Sequence, residues 1–174
     1  QLPLATPQRR AAAYSYLAGR LKNVAQGERE DRLQTLVGFL KAPSQVPLDS
    51  PFSTLGWEDI MELSRTGLAL FGSHTHTHPI LSRCSRERQE EELRISRDIL
   101  ADRLGSVDLF AYPNGSCADF TDTTKEQLVN LGYRCGLATT PGINQRGCDL
   151  YELKRVNVGA DITLNDFELR MVGW

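Results

Sequence analysis

The stretch Leu68-Ala69-Leu70-Phe71-Gly72-Ser73-His74-Thr75-His76-Thr77-His78-Pro79 decides how the whole chain is read. Its first four residues are apolar and make a short candidate for a buried strand. Glycine then ends the run, and the chain's three histidines follow within five residues. A strand that runs straight into a loop bearing reactive side chains is the arrangement of α/β folds. Such folds gather their sites at the carboxyl ends of parallel strands.

Imidazole is a common ligand for borderline divalent metals such as zinc. The bland alternative has these side chains capping turns or lying solvated on a loop. Having every imidazole of the chain in one loop favours metal binding. Spacing then separates the three. In a helical turn, residues four apart share a face, so His74 and His78 would bind one metal while His76 points away. In an extended segment all three share a face. Ser73 suits the start of a turn and Pro79 its end, so His74 and His78 are the expected ligands, converging on one site. His76 is expected to support that site from the substrate side. Zinc needs a third protein ligand and an open position for water. With no further histidine, a carboxylate must complete the set. Asp119 and Asp122 are the nearest in the layout, though both also suit loop and cap roles.

Downstream, Ser85 caps a long helix that ends at Gly105. Leu93, Ser96, Leu100 and Leu104 form its buried stripe; Arg86, Glu90, Arg94 and Asp98 lie outside. A strand over 107–112 leads into Pro113-Asn114-Gly115. A helix over 124–131 stops at Gly132, and strands are expected at 133–139 and 153–158. Thr163 with Asp166 opens a last helix. Upstream, Trp57 to Arg65 is a short helix closed by Gly67. The alternation defines an α/β portion over 55–174. Residues 1–54 differ. Thr6 caps a helix with Pro7 at its first position, and Ala11, Tyr14, Leu17, Ala18 and Leu21 recur at helical spacing. Gly27 breaks it, a second helix runs over 28–41, and a Pro- and Ser-rich linker covers 42–55. These helices do not alternate with strands, so they read as an insertion or small cap.

The chain has 174 residues, 40% hydrophobic and 24% charged, as in ordinary globular proteins. Its formal net charge is −2, which gives no electrostatic footprint for nucleic acid. Residues 1–42 hold seven of the 20 Lys and Arg and three of the 22 Asp and Glu. Apolar residues interrupt those charges, so they read as a solvated helical face rather than a polyanion site. No apolar run approaches a membrane span, and no secretory leader is visible. Cys84, Cys117, Cys135 and Cys148 are widely spaced without a C-x-x-C pair. Reduced thiols are therefore favoured over a zinc ribbon or a disulfide framework, and a cytoplasmic setting slightly over export.

Three segments together resemble the polysaccharide deacetylase family, carbohydrate esterase family four. They are Gly72-Ser73-His74-Thr75-x-x-His78-Pro79, then Phe110-Ala111-Tyr112-Pro113-Asn114-Gly115, then Leu131-Gly132-Tyr133. The resemblance covers roughly residues 55–158. The helical stretch at 1–42 resembles, more loosely, an insertion in relatives linked to exopolysaccharide synthesis. The resemblance implies a distorted (β/α) barrel and an Asp-His-His triad holding a divalent metal, here zinc, to which His74 and His78 contribute. It implies that Thr75 braces the metal loop. Pro113 to Gly115 would form one groove wall, with the Asn114 N–H as donor to the oxyanion. The implied reaction is metal-dependent removal of N-acetyl groups from N-acetylglucosamine-type polysaccharide or oligosaccharide. The alternative is a non-catalytic carbohydrate-binding or scaffold protein on the same fold.

The departures are specific. The family's opening motif, a strand ending in Thr-Phe-Asp-Asp, supplies the third ligand and the base, yet no Asp-Asp pair occurs here. The late Leu-x-His motif is absent, and no arginine stands in the third motif. The chain therefore reads as an incomplete barrel without its opening strands, expected to be inactive alone. The strand at 68–71 would carry an unpaired edge, leaving a gap or recruiting another copy of the chain.

Overall fold

A computed structural model of the protein describes residues 4–41, 54–159 and 161–173. The chain divides into two compact units, Gln1–Thr54 and Leu55–Trp174. The expected linker at 42–55 lies mostly outside the described residues.

The first unit holds two helices, α1 (Pro7–Leu21) and α2 (Gln26–Leu40). The Thr6 hydroxyl accepts from the Arg9 N–H, and Pro7 gives up an N–H that the first turn could not use. Two short helices cannot cover each other's apolar faces. Among the described residues of this unit only Ala13 is buried, while Tyr14, Val37, Phe39 and Leu40 stay exposed.

The second unit is α/β. Its elements are α3 (Trp57–Arg65), α4 (Arg86–Leu104), β1 (Leu109–Ala111), α5 (Asp122–Asn130), β2 (Cys135–Pro141), β3 (Leu153–Arg155) and α6 (Leu164–Met171). The strands form one parallel sheet in the order β1-β2-β3. Among the described residues it is open, as an incomplete barrel would be. Phe110 stands opposite Gly136, and Leu137 opposite Leu153. The next β2–β3 pair is Pro141 with Arg155, so β2 takes four steps where β3 takes two. The Arg155 side chain compensates for this slip. Its Nε donates to the Ala138 carbonyl at 2.7 Å, satisfying an acceptor within the irregular stretch.

Phe110 and Tyr112 are two apart, so they share a sheet face, and both are buried. Phe110 packs edge-on against Tyr133 at 5.4 Å, and Tyr112 stacks on Phe120 at 3.9 Å. Leu81, Leu93, Val107, Leu128 and Ala138 complete this core. Burial pushes the Tyr112 hydroxyl well above the usual phenol range, and it donates to the Tyr151 carbonyl at 2.7 Å.

The expected strand at 68–71 does not form. Leu68 and Leu70 are 93% and 85% exposed, and among the described residues nothing pairs with that run. Apolar character alone cannot hold a strand that has no neighbour to bond. Pairing starts only at Ser73, in an isolated parallel bridge to Phe110. The later strands keep their places but are shorter than expected at 107–112 and 153–158.

Candidate metal-binding site at the carboxyl edge of the sheet

The histidine loop reaches the sheet through Gly72 and Ser73. A Cβ on Gly72 would lie 2.9 Å from the Leu109 carbonyl oxygen, so only glycine lets the backbone come this close to β1. Ser73 N–H donates to Leu109 O at 2.8 Å, and Ala111 N–H donates to Ser73 O at 2.9 Å. The bridge is parallel, so the chain leaves Ser73 and Ala111 in the same direction. The histidine loop and Pro113-Asn114-Gly115 thus emerge from one edge, as the sequence reading requires. Beneath them the buried Ser73 hydroxyl lies 2.5 Å from that of Ser96 on α4, and the Tyr133 hydroxyl donates to Leu93 O.

His74 and His78 come together. Their rings meet edge-to-face with centroids 4.8 Å apart. His74 Nδ1 lies 2.6 Å from the Ala111 carbonyl oxygen. A carbonyl can only accept, so Nδ1 carries a proton, and in the neutral ring the free lone pair then lies on Nε2. The backbone is shaped for this. Thr75 and His78 sit in the left-handed region at φ 67° and 58°, which non-glycine residues seldom adopt. The Thr75 hydroxyl accepts from the His78 N–H at 3.1 Å and closes the turn. The His76 side chain is exposed, and its backbone N–H points inward.

That N–H finds Glu92, a residue the sequence reading did not single out. Glu92 is 1% exposed on α4. Its Oε2 accepts from the His76 N–H at 2.8 Å and the Thr77 N–H at 2.7 Å, and its Oε1 accepts from the Thr77 hydroxyl at 2.5 Å. Arg88 Nη2 adds an ion pair at 2.7 Å. The buried face of α4 runs Gln89, Glu92, Leu93, Ser96, the helical spacing i, i+3, i+4, i+7. Polar residues at three of those four positions were the available signal.

In the second loop Pro113 and Gly115 are buried, and Asn114 has φ 61°. Gly115 O accepts from the Thr139 N–H at 2.7 Å, which ties the loop to β2. The Asn114 N–H has no acceptor among the described residues, leaving it available to a ligand. Asp119 instead holds Ser116, accepting from its N–H and hydroxyl, and Asp122 stands fully exposed in the first turn of α5. Neither joins the histidines. Among the described residues no cluster of three or more His, Cys, Asp or Glu stands ready for a metal. The site therefore offers two imidazoles to a borderline divalent ion, and their chemistry fits such an ion.

The histidine loop and the Asn114 loop emerge together at the carboxyl edge of a parallel α/β sheet, the edge at which such folds gather their sites. The chain belongs to the polysaccharide deacetylase family, whose sequence profile matches residues 11–136. The match starts inside α1, well ahead of the region at 55–158 that carried the resemblance. The Bacillus subtilis (strain 168) protein YxkH, whose name assigns it to the polysaccharide deacetylases, is 25% identical over 111 residues, 63% of this chain and 38% of that protein. Among solved structures, the Streptococcus pyogenes deacetylase PplD in complex with acetate is similar with 27% identity and a TM-score of 0.64, over 70% of this chain and 53% of that one. IcaB from Ammonifex degensii is similar with 26% identity and a TM-score of 0.58, over 68% and 53%. The chain thus spans little more than a third of the curated relative and about half of these solved chains. Among the described residues no helix is long and apolar enough to cross a membrane.

Proposed function

We propose that this chain carries part of the site of a metal-dependent N-deacetylase acting on N-acetylglucosamine-type polysaccharide or oligosaccharide, with His74 and His78 as ligands to zinc. One observation carries the reading. The two imidazoles lie edge-to-face at 4.8 Å, and the Ala111 carbonyl commits the His74 Nδ1 proton, so that Nε2 is the donor. The S. pyogenes relative solved with acetate, the acid such a reaction releases, supports it.

A divalent metal, when bound, would supply Lewis acidity that activates water and polarises the acetamide carbonyl. The chain's own groups would position the loop and receive the developing oxyanion. Thr75 and the turn it closes hold the His78 backbone, and the His76 N–H anchors the middle of the loop. The Asn114 N–H is placed to donate to the oxygen that becomes negative as water adds to the acyl carbon. Pro113 and Gly115 fix that N–H by holding the turn. In the net reaction the C–N bond breaks, acetate leaves with the water oxygen, and the amine takes the proton.

The test measures zinc binding and acetate release from N-acetylglucosamine oligomers, with and without chelator. Wild type is expected to bind zinc, and His74→Ala and His78→Ala to lose it, since two imidazoles cannot spare one. Joining an upstream segment that bears an Asp-Asp pair is expected to raise chelator-sensitive acetate release, and His74→Ala to abolish it there. Oligomer binding without acetate release in that extended protein would favour the non-catalytic carbohydrate binder instead.

A further inference from the structure

Two features of the histidine loop require an outside restraint. Thr75 and His78 are non-glycine residues at positive φ, and both would relax if nothing held them. Among the described residues the segment bonds to the sheet through Ser73, in its bridge to Phe110, and through the His74 ring at the Ala111 carbonyl, both ahead of residue 75. Something beyond Ser73 must fix residues 75–78, and the buried carboxylate on α4 makes the bonds that do so.

We propose that Glu92 is a positioning residue for the metal site, holding the 75–78 backbone so that His74 and His78 face one ion. This rests on the reading of His74 and His78 as ligands. Each of its oxygens carries two donors: the His76 and Thr77 N–H groups on Oε2, the Thr77 hydroxyl and the Arg88 guanidinium on Oε1. All four are donors, so the group acts as a carboxylate with acceptor capacity only. Bonding two successive N–H groups to one oxygen fixes their peptide planes, which sets the direction in which His78 leaves the turn. One helical turn along, Ser96 meets the Ser73 hydroxyl. Helix α4 therefore grips the loop at its root and at its middle.

The experiment uses the full chain and two readouts, zinc affinity by calorimetry and amide hydrogen exchange at His76 and Thr77 without metal. In wild type both amides are expected to exchange slowly. Glu92→Ala is expected to speed their exchange at least a hundredfold and to weaken zinc binding at least tenfold. Glu92→Gln keeps a carbonyl oxygen for the two N–H groups but turns an amide N–H2 toward Arg88, so both readouts are expected to fall between wild type and Glu92→Ala, with exchange at His76 and Thr77 nearer wild type. Leu93→Ala, the next residue on the same buried face, serves as a control for lost packing. It is expected to lower the unfolding midpoint while leaving exchange at His76 and Thr77, relative to global exchange, unchanged. The proposal is overturned if Glu92→Ala leaves both readouts within twofold of wild type, or if Glu92→Gln is as impaired as Glu92→Ala. It also fails if Leu93→Ala loosens the loop equally. Zinc binding that survives His74→Ala and His78→Ala would sink the ligand assignment itself, while the exchange data would still report on the grip of Glu92.

Discussion

Replacing Gly136 by alanine pits two effects of opposite sign against each other. Gly136 is the second residue of β2; within a strand glycine ordinarily costs roughly 0.5–1 kcal/mol relative to alanine, so the change should stabilise if nothing were in the way. The Tyr112 ring is in the way. An added Cβ would stand 2.7 Å from its hydroxyl oxygen and 2.9 Å from Cε2 and Cζ. The ring cannot swing aside, because it is stacked on Phe120 and its hydroxyl is bonded to Tyr151 O. Overpacking of this kind costs about 1–3 kcal/mol, and losing the hydrogen bond adds about 1 kcal/mol. The clash wins, for a net destabilisation of roughly 1–3 kcal/mol. Urea unfolding followed by far-ultraviolet circular dichroism measures it. Tyr112→Phe removes the nearest of the three contacts, so Gly136→Ala is expected to cost about 0.5 kcal/mol or more less in that background. A Gly136→Ala protein as stable as wild type, or a strictly additive pair, would refute a ring laid across β2.

Phe110→Ala empties a fully buried site between Tyr112 and Tyr133 and is expected to lower unfolding stability by about 3–5 kcal/mol in the same assay. Ser96→Ala strips the Ser73 hydroxyl of its buried partner; the expected loss is about 1–2 kcal/mol, with faster amide exchange at Ser73. The pH dependence of stability isolates Asp149. Hydrogen bonds from Lys125 and the Tyr151 N–H hold its carboxyl below the ordinary value of 3.8. A lowered folded-state pKa stabilises above the unfolded value, and that contribution is lost as pH falls through the folded one. Asp149→Asn is therefore expected to be less stable than wild type at pH 5–7, by under about 1 kcal/mol because the side chain is half exposed. The gap should close below about pH 4, and a gap that widens in acid would contradict the assignment.

Local rules carried much of the fold. Thr6, Ser85 and Thr163 each cap the helix their sequence announces, because a cap is written in a few consecutive residues. The pairing of His74 with His78 was legible for the same reason. The hydrogen bond from His74 to Ala111 was not, since it joins residues 37 positions apart. Glu92 was not legible because the leucines at 93, 100 and 104 mark the buried stripe, whereas the helix also buries Gln89, Glu92 and Ser96, each matched to a partner that lies far along the chain. Leu68 to Phe71 misled in the opposite way, for an apolar run says nothing about whether a neighbouring strand exists. The register slip between β2 and β3 left no local mark, and only the reach of Arg155 to Ala138 records it.

The double grip of α4 on the histidine loop has a consequence for transplanting the site. A ligand loop is usually grafted as a short peptide between two anchor points on a new scaffold. Here the instructions for its shape are stored on the following helix, at Glu92 and Ser96, so the portable cassette is residues 72–96 as one piece. Copying His74 to His78 alone would carry the ligands into a new host and leave behind the bonds that aim them.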